Sequence, residues 1–419
     1  MLQSSPRVAR SAIAFAFILL PILLAGCALS RHYEAALVLQ DFAAIDGASR
    51  LKQTTSAPQR QTLTYTVAGR NHRADLYLPD EIEGCARPEV SPSPDAVGRG
   101  KHCSRAAIVV VPGAVPQSKD DPRLVAFATT LARAGFVVLA PDLAGFRELR
   151  IRPSNIRELA DAFAYLASRP ELAPGGRIGM FAFSYSVGPA LLAALEDDIR
   201  NRVRFLVGLG GYYDLPRAMR FFTTGWYERA GKWHQLTPDD TGKMVLLYSS
   251  LDYLADGRDD AAFDRRIFDQ MVKLRSQDPK ADLTSLAAQL STEAQAVYAL
   301  AVNDDPLRFP ELLARLPEAM QADIEHLNIA RHDLKLLKAR LILVHGRSDN
   351  LIPYPETLAL AAAAPEGQAS VYLIHRVLGH VDLSISHALS WRFWREDLPD
   401  LWRLWRVIGL LLAQREEAE

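Results

Sequence analysis

Short apolar segments alternate with helical segments along much of this chain, and that alternation limits the possible folds more than any other feature. Residues 106–111 and 136–140, AAIVVV and FVVLA, are continuous apolar runs of the kind found in strands buried on both faces. Between them, residues 124–134 have helical spacing and end at Gly135. Such βαβ units have right-handed crossovers, which place helices on both faces of a mostly parallel sheet. The sequence therefore predicts an α/β fold.

A long helix-rich segment interrupts this pattern. The later strands are predicted at residues 178–183, 205–209, 341–344 and 371–374. Residues 212–340, in the middle of this series, contain helical patterns such as AAFDRRIFDQMVKLR. A segment of that length inside an α/β sheet is usually a functional lid. We therefore predict a core made of residues 61–211 and 341–419, with residues 212–340 inserted as a helical cap.

Charge and motif content exclude several classes of function. The 48 basic and 49 acidic residues leave a formal charge of -1, so the chain lacks the overall basic character of a nucleic-acid-binding protein. Neither H-E-x-x-H nor a pair of C-x-x-C motifs occurs, so no zinc site is indicated. We expect no nucleic-acid partner, no metal site and no cofactor, while the oligomeric state leaves no mark on the sequence.

Residues 1–27 have the pattern of an export signal. Arg7 and Arg10 precede an apolar run at residues 11–25, which is shorter than the roughly 20 residues of a spanning helix. The run leads into Leu-Ala-Gly-Cys, which ends at Cys27 and resembles the lipobox of bacterial lipoproteins. That resemblance implies that Cys27 is lipidated and becomes the new N-terminus. An uncleaved anchor, or ordinary cleavage beside a chance cysteine, remains open.

A lipidated Cys27 would place the protein in the cell envelope. Ala28 follows the cysteine, where an aspartate would indicate retention in the inner membrane. We therefore expect attachment to the outer membrane, facing the periplasm, with the membrane as partner through a lipid anchor. Residues 28–60 are mixed and polar, and are predicted to be a tether with one short helix near residues 33–42.

Two cysteines remain in the exported chain, Cys85 and Cys103. The segment between them is rich in Pro, Gly and Ser and has the composition of a loop. Because exported proteins meet an oxidising compartment, we predict a disulfide between these residues, worth ~3 kcal/mol in a loop-entropy model. Two independent thiols are the alternative.

A strand that runs directly into a serine is the strongest chemical signal. The predicted strand at residues 178–183 is followed by Ser184, with small residues two positions before and after it, Ala182 and Ser186. This arrangement resembles the nucleophile elbow of the α/β-hydrolases, where a tight turn requires small neighbours. Both usual glycines are replaced, so a serine pair that only caps the next helix is also possible.

Ser186 is an alternative nucleophile. It also has small neighbours, Ser184 and Gly188, and Pro189 lies closer to the first helical position if the turn is built on Ser186. Ser184 is preferred because it ends a strand of six residues, as the elbow serine does in the family.

The acid of a catalytic triad follows the nucleophile in the family order, and the base comes last. The strand at residues 341–344 ends in His-Gly-Arg-Ser-Asp-Asn-Leu-Ile-Pro, which resembles the acid-bearing loop of these hydrolases, so Asp349 is the candidate acid. Asp349 could instead form a turn that caps the next helix. Asp214, after the strand at residues 205–209, is the alternative acid.

The strand at residues 371–374 is followed by a short loop that ends in Gly-His, and His380 is the candidate base. His375 is less suitable because it still belongs to the strand. His345, at the end of the preceding strand, is predicted to be structural.

An oxyanion hole needs two preorganised N–H donors. One is predicted to be the amide of Tyr185, which follows the nucleophile. The resemblance places the other in the loop after residues 106–111, where Ala114 fits best and Val115 is its neighbour. Pro112 stands where family members often have histidine, and this departure leaves the second donor open.

The resemblance extends from about Thr62 to His380 and is strongest to dienelactone-hydrolase and prolyl-oligopeptidase-like esterases. It implies an α/β-hydrolase fold and a serine hydrolase that cleaves an ester-like bond of a small acyl substrate through Ser184, His380 and Asp349. Two alternatives remain. One is a non-catalytic lipoprotein on the same scaffold, and the other is an acyltransferase, thioesterase or peptidase with the same triad.

The C-terminal segment is predicted to be a helix broken near Pro399. Its tryptophans alternate with arginines and are Trp391, Trp394, Trp402 and Trp405. The segment either packs on the sheet, with arginine stems covering apolar surface, or contacts the membrane interface.

Overall fold

The structure is a computed structural model that describes residues 26–45, 47–79, 106–254, 258–278, 281–380 and 390–415. The signal segment before residue 26, the side chain of Cys27, and both Cys85 and Cys103 lie outside what is described. The lipidation site and the disulfide therefore stay predictions.

The described part of the chain contains ten strands, and eight of them form one sheet. The strands are β1 (Gln59–Val67), β2 (Arg70–Leu78), β3 (Ala106–Val111), β4 (Phe136–Pro141), β5 (Ile178–Phe183), β6 (Val203–Leu209), β7 (Trp226–Arg229), β8 (Lys232–Gln235), β9 (Arg340–Gly346) and β10 (Ala369–Ile374). The large sheet has the order β1-β2-β4-β3-β5-β6-β9-β10, and β7 pairs only with β8. The strands from β4 to β10 in this order pair in parallel, while β1 and β2 form an antiparallel edge.

The helices complete a layered architecture. They are α1 (Gly26–Ala44), α2 (Arg50–Thr54), α3 (Pro122–Arg133), α4 (Ala144–Arg147), α5 (Ser154–Ala167), α6 (Val187–Ala193), α7 (Leu215–Thr224), α8 (Thr241–Ser250), α9 (Arg258–Gln277), α10 (Thr284–Ala287), α11 (Thr292–Ala301), α12 (Phe309–Leu313), α13 (Glu318–Leu327), α14 (Pro355–Ala363) and α15 (Leu398–Ala413). Helices lie on both faces of a mostly parallel sheet, so the predicted fold class is confirmed.

The continuous apolar runs are explained by burial on both faces of the sheet. Every residue of β3 is buried, and successive side chains point to opposite faces. Ile108 and Val110 join one apolar core, which α1, α3 and α15 cover. Val109 and Val111 join the other core, which includes α5 and α6 and continues into the helices of residues 212–340. A strand buried on both faces has no solvent-exposed side, so polar residues need not alternate with apolar ones along it.

The segment between β6 and β9 contains α7 to α13, and also the β7–β8 hairpin that helical spacing did not predict. The two residues between these strands, Ala230 and Gly231, have φ angles of 49° and 72°. A turn with two positive φ angles has the twist that a two-residue hairpin needs, so this short polar stretch forms strands. The hairpin thus adds two short strands to a segment that was predicted to be helix-rich.

The helix predicted near residues 33–42 is present as part of α1, but this helix packs against the core instead of forming a tether. Ala35 and Val38 of α1 are fully buried in the core that α3 and α15 share. The guanidinium of Arg415 pairs with the carboxylate of Glu34 at 2.6 Å. These contacts close the N-terminal segment onto the C-terminal end of the described chain, which corrects the tether expectation.

The C-terminal segment departs from regular α-helix just before Pro399, close to the predicted break. Residues Phe393–Asp397 form a π-helical turn that leads into α15. Pro399 lies in the first turn of α15, a position that proline favours. Within the described ranges, no helix combines the length and apolar character needed to cross a membrane.

Candidate active site

Ser184 lies in a tight turn where β5 passes into α6. Residues Ser184–Ser186 form one turn of 3-10 helix directly after the last residue of β5. Ser184 has φ of +56°, in the left-handed region that residues other than glycine rarely adopt. A serine held in this strained conformation at the carboxyl end of a strand is a candidate functional group.

Ser184, His380 and Asp349 form a chain of hydrogen bonds. The Oγ atom of Ser184 lies 2.6 Å from Nε2 of His380, and Nδ1 of His380 lies 2.7 Å from Oδ2 of Asp349. The ionised carboxylate only accepts hydrogen bonds, so Nδ1 carries the imidazole proton. Nε2 is then the acceptor for the Ser184 hydroxyl, which is the arrangement that a general base needs.

The surroundings of Asp349 favour its ionised form. Burial acts to raise its pKa, but the imidazoles of His380 and His345 outweigh burial and hold the pKa of Asp349 below its ordinary value. Its second oxygen, Oδ1, accepts hydrogen bonds from the backbone amides of Leu351 and Ile352 at 2.8 and 2.9 Å. This turn fixes the carboxylate and supplies the negative charge beside His380.

His345 supports Asp349 from the end of β9. Its ring is fully buried, with Nε2 2.8 Å from the carbonyl oxygen of Ile352 and 3.2 Å from Oδ2 of Asp349. Because the carbonyl only accepts, Nε2 carries a proton and also faces the carboxylate. The sequence pattern assigned His345 a structural role but did not indicate this contact with the acid.

Two glycines allow this close arrangement, and the sequence analysis missed both. Gly210 follows β6 with φ of +69°, and a Cβ atom there would lie 3.3 Å from Oδ2 of Asp349 and 3.4 Å from Cε1 of His380. A Cβ atom on Gly346 would lie 2.2 Å from the carbonyl oxygen of Gly379. Both glycines stand at the carboxyl end of a strand, Gly210 after β6 and Gly346 in β9. This position is the sequence feature that could have indicated them.

The alternative acid and base lie outside the hydrogen-bonded chain. Asp214 caps the N-terminus of α7, where Oδ1 accepts from the amide of Arg217 at 2.9 Å. His375 follows β10 with an exposed side chain, and its pKa is lowered mainly by partial burial and next by the charge of Arg347. Neither residue contacts Ser184 or His380 in a hydrogen bond that the structure records.

Ser186 is fully buried, and its hydroxyl donates to the carbonyl oxygen of Pro112. Its side chain therefore joins the turn after β5 to the loop after β3.

The loop after β3 holds the second candidate oxyanion donor. The Val115 amide donates to the carbonyl oxygen of Gly113 at 2.9 Å, whereas no backbone–backbone hydrogen bond of the Ala114 amide is recorded among the described residues. Ala114 therefore stays the preferred candidate for the second donor.

A cavity of about 670 Å³ opens onto Ser184, His380, Ala114 and Tyr185. This volume is in the range of small-molecule sites. In the part of the chain that the structure describes, no cluster of three or more His, Cys, Asp or Glu side chains could hold a metal ion.

Replacing Ser186 with alanine is expected to lower the free energy of unfolding by about 1–3 kcal/mol, because the buried carbonyl of Pro112 loses its donor. Urea unfolding measures this change. Ser285→Ala is the matched control, since Ser285 is exposed and its loss should change stability by less than about 0.5 kcal/mol. An unchanged unfolding midpoint in the Ser186 variant would contradict the role assigned to this hydrogen bond.

Comparison with known proteins gives likeness in structure only. No protein-family model matches the chain, and no curated protein matches it either. A putative hydrolase from Legionella pneumophila has a TM-score of 0.50 at 12% identity, with 93% of this chain and 96% of that chain covered.

Two further solved structures are similar at lower scores. The dienelactone hydrolase of Anabaena variabilis has a TM-score of 0.39 at 14% identity, covering 85% of this chain and 97% of that one. The acylaminoacyl peptidase of Pyrococcus horikoshii has a TM-score of 0.42 at 11% identity and covers 88% of this chain, which spans only 43% of the peptidase. The strand order together with the likeness to the Legionella protein shows that this chain has the α/β-hydrolase fold.

Proposed function

We propose that this protein is a serine hydrolase that cleaves an ester-like bond of a small acyl substrate through an acyl-enzyme. The observation that carries the proposal is the hydrogen-bonded chain from Ser184 through His380 to Asp349, at the wall of a cavity. The fold agrees with it, since the Legionella protein of the same fold is described as a putative hydrolase.

Acylation begins when Oγ of Ser184 attacks the substrate carbonyl carbon. Nε2 of His380 takes the hydroxyl proton as the new C–O bond forms. Asp349 keeps the imidazole oriented and stabilises the positive charge that develops on it. The carbonyl oxygen becomes an oxyanion, for which the amides of Ala114 and Tyr185 are the proposed donors.

The tetrahedral intermediate collapses when His380 gives its proton to the leaving oxygen and the alcohol departs. A water molecule then attacks the acyl-enzyme while His380 takes one of its protons. Breakdown of this second intermediate returns the proton to Ser184 and releases the carboxylic acid. The net reaction consumes one ester and one water.

Pre-steady-state hydrolysis of p-nitrophenyl acetate tests the proposal. We expect a burst of p-nitrophenol that is proportional to the enzyme concentration, followed by slower steady turnover, because an acyl-enzyme accumulates. Folded wild-type protein that neither releases p-nitrophenol nor reacts with a fluorophosphonate would overturn the proposal and favour a non-catalytic scaffold.

We also propose that the protein is attached to the cell envelope through lipidated Cys27. The exposed side chains of Trp391, Trp394 and Trp402 support this location, because tryptophan is favoured at membrane interfaces. Trp402 lies about one helical turn before Trp405. The ring centroid of Trp405 lies 4.8 Å from that of His32 in α1. The exposed Trp402 of α15 therefore lies near α1, the helix in which the proposed anchor Cys27 stands.

Replacing Cys27 with serine is expected to move most of the protein from the membrane fraction to the soluble fraction of a bacterium that processes lipoproteins, because the anchoring acyl chains are lost. Fractionation followed by immunoblotting measures this shift. Cys85→Ser is the control and should stay with the membrane. A Cys27→Ser protein that remains in the membrane fraction would contradict the proposed anchor.

A further inference from the structure

The cavity at Ser184 has two arms on opposite faces of the sheet. One arm lies under α7, α8 and α13, where Met219, Val245 and Ile324 line it, and we call it the cap arm. The other lies between α1, α3 and α15, where Phe42, Ala126 and others line it, and we call it the terminal-helix arm. Both arms belong to one continuous cavity, which runs past the nucleophile.

The lining of the terminal-helix arm is apolar. The apolar side chains that α1, α3 and α15 contribute to it include Leu39, Phe42, Phe127, Leu404, Val407 and Ile408. Two of its polar groups are paired with each other, since the buried carboxylate of Asp41 accepts from the hydroxyl of Thr130 at 2.6 Å, and it also accepts from Ser49. An apolar chain can therefore enter this arm while Asp41 and Thr130 stay paired, although the buried hydroxyl of Ser118, which also lines the cavity, has no hydrogen-bond partner among the described residues.

The cap arm contains polar groups that line the cavity. The hydroxyl of Tyr253 donates to the carboxylate of Asp323 at 2.5 Å, and both residues line the cavity. The Asp323 side chain is only partly buried, and its carboxylate can accept further hydrogen bonds. The two arms thus differ in chemistry as well as in position.

We infer that the substrate is an ester of a medium- or long-chain acid, whose acyl chain lies in the terminal-helix arm while the leaving group occupies the cap arm. This inference rests on the proposed function and adds the substrate class to it. It assigns the acyl site to the N- and C-terminal helices, outside the cap. Because α1 closes the arm, substrate specificity depends on the first described helix of the chain.

The test compares p-nitrophenyl octanoate with p-nitrophenyl acetate by the ratio of their kcat/KM values. Burial of a methylene group contributes a factor of about four, so the wild-type ratio should be at least ~100. Ala126→Trp is expected to lower this ratio at least tenfold, because the half-buried Ala126 lines the arm and an indole there would fill it. Ala43→Trp, at an exposed position that also lines the arm, is a second variant should the first fail to fold.

Two tryptophan controls separate the arms. Thr129→Trp lies on the same helix as Ala126 but outside the cavity lining, and should leave the ratio unchanged within about twofold. Val245→Trp fills the cap arm and should lower both kcat/KM values without lowering the ratio tenfold. A wild-type ratio near one, or a ratio that falls in Val245→Trp and not in Ala126→Trp, would overturn the inference.

Failure of this inference is distinct from failure of the proposed function. If both esters are hydrolysed without the expected dependence on chain length, only the assignment of the acyl chain is wrong. If folded wild-type protein hydrolyses neither ester and is not labelled by a fluorophosphonate, the proposed function fails, and this inference fails with it.

Discussion

Ser184→Ala is expected to lower kcat for ester hydrolysis by about 10⁴–10⁶-fold. The substitution removes the oxygen that lies 2.6 Å from Nε2 of His380, so no acyl-enzyme can form. The substitution should leave the stability of the protein nearly unchanged. Alanine keeps the backbone of the strained turn much as serine does, and the recorded partner of the Ser184 hydroxyl is His380, not a buried carbonyl. Steady-state hydrolysis of p-nitrophenyl esters, with circular dichroism to verify the fold, measures this change.

Ser186→Ala is the matched control for this prediction. It removes the neighbouring hydroxyl but keeps Ser184, so activity should fall far less, by at most about 100-fold through the loosened loop at Pro112. The assignment of the nucleophile would be wrong if Ser184→Ala kept a tenth of the wild-type rate, or if Ser186→Ala were the more damaging change.

Asp349→Asn is expected to lower kcat by about 10⁴-fold while the fold is retained. The asparagine amide would donate to Nδ1 of His380 and so drive the imidazole proton to Nε2, where it faces Ser184 and blocks proton acceptance. The side-chain oxygen can still accept from the amides of Leu351 and Ile352, so the turn should persist. Kinetics together with thermal unfolding measure the two effects separately.

Asp214→Asn is the control for the acid. Asp214 caps α7, and asparagine is an equally good N-cap, so both stability and activity should stay close to wild type. A large loss of activity in Asp214→Asn, with little loss in Asp349→Asn, would mean that the acid has been misassigned.

The large sheet could be predicted because its strands have an unusual environment. Residues of β3 are buried on both faces, so the run AAIVVV contains no polar residue and is recognisable without any tertiary information. The strand before Ser184 was predicted with its observed bounds, Ile178–Phe183, for the same reason. Local pattern is sufficient where burial is complete.

The position of α1 could not be predicted from the sequence alone. Residues 28–60 are mixed and polar, and α1 contributes apolar side chains such as Ala35 and Val38 only to a groove between α3 and α15. Those helices lie about 90 and 370 residues further along the chain. A segment whose partner is so distant has the local composition of a linker.

The sequence indicated which candidate residues belong to the site but not how they are supported. Ser184, Asp349 and His380 were chosen because each follows a strand, and carboxyl ends of parallel strands share one edge. The contact of His345 with Asp349 depends on the path of the loop after β9, and the need for Gly210 depends on where His380 comes to lie. Such contacts arise only once the strands are assembled.

The most direct test of the central claim is to treat the folded wild-type protein with a fluorophosphonate and to map the adduct by mass spectrometry. The activated serine attacks phosphorus and displaces fluoride, so the account predicts one adduct per chain, on Ser184, and none in Ser184→Ala. An adduct on Ser186, equal labelling of Ser184→Ala, or no adduct on folded wild-type protein would contradict the account.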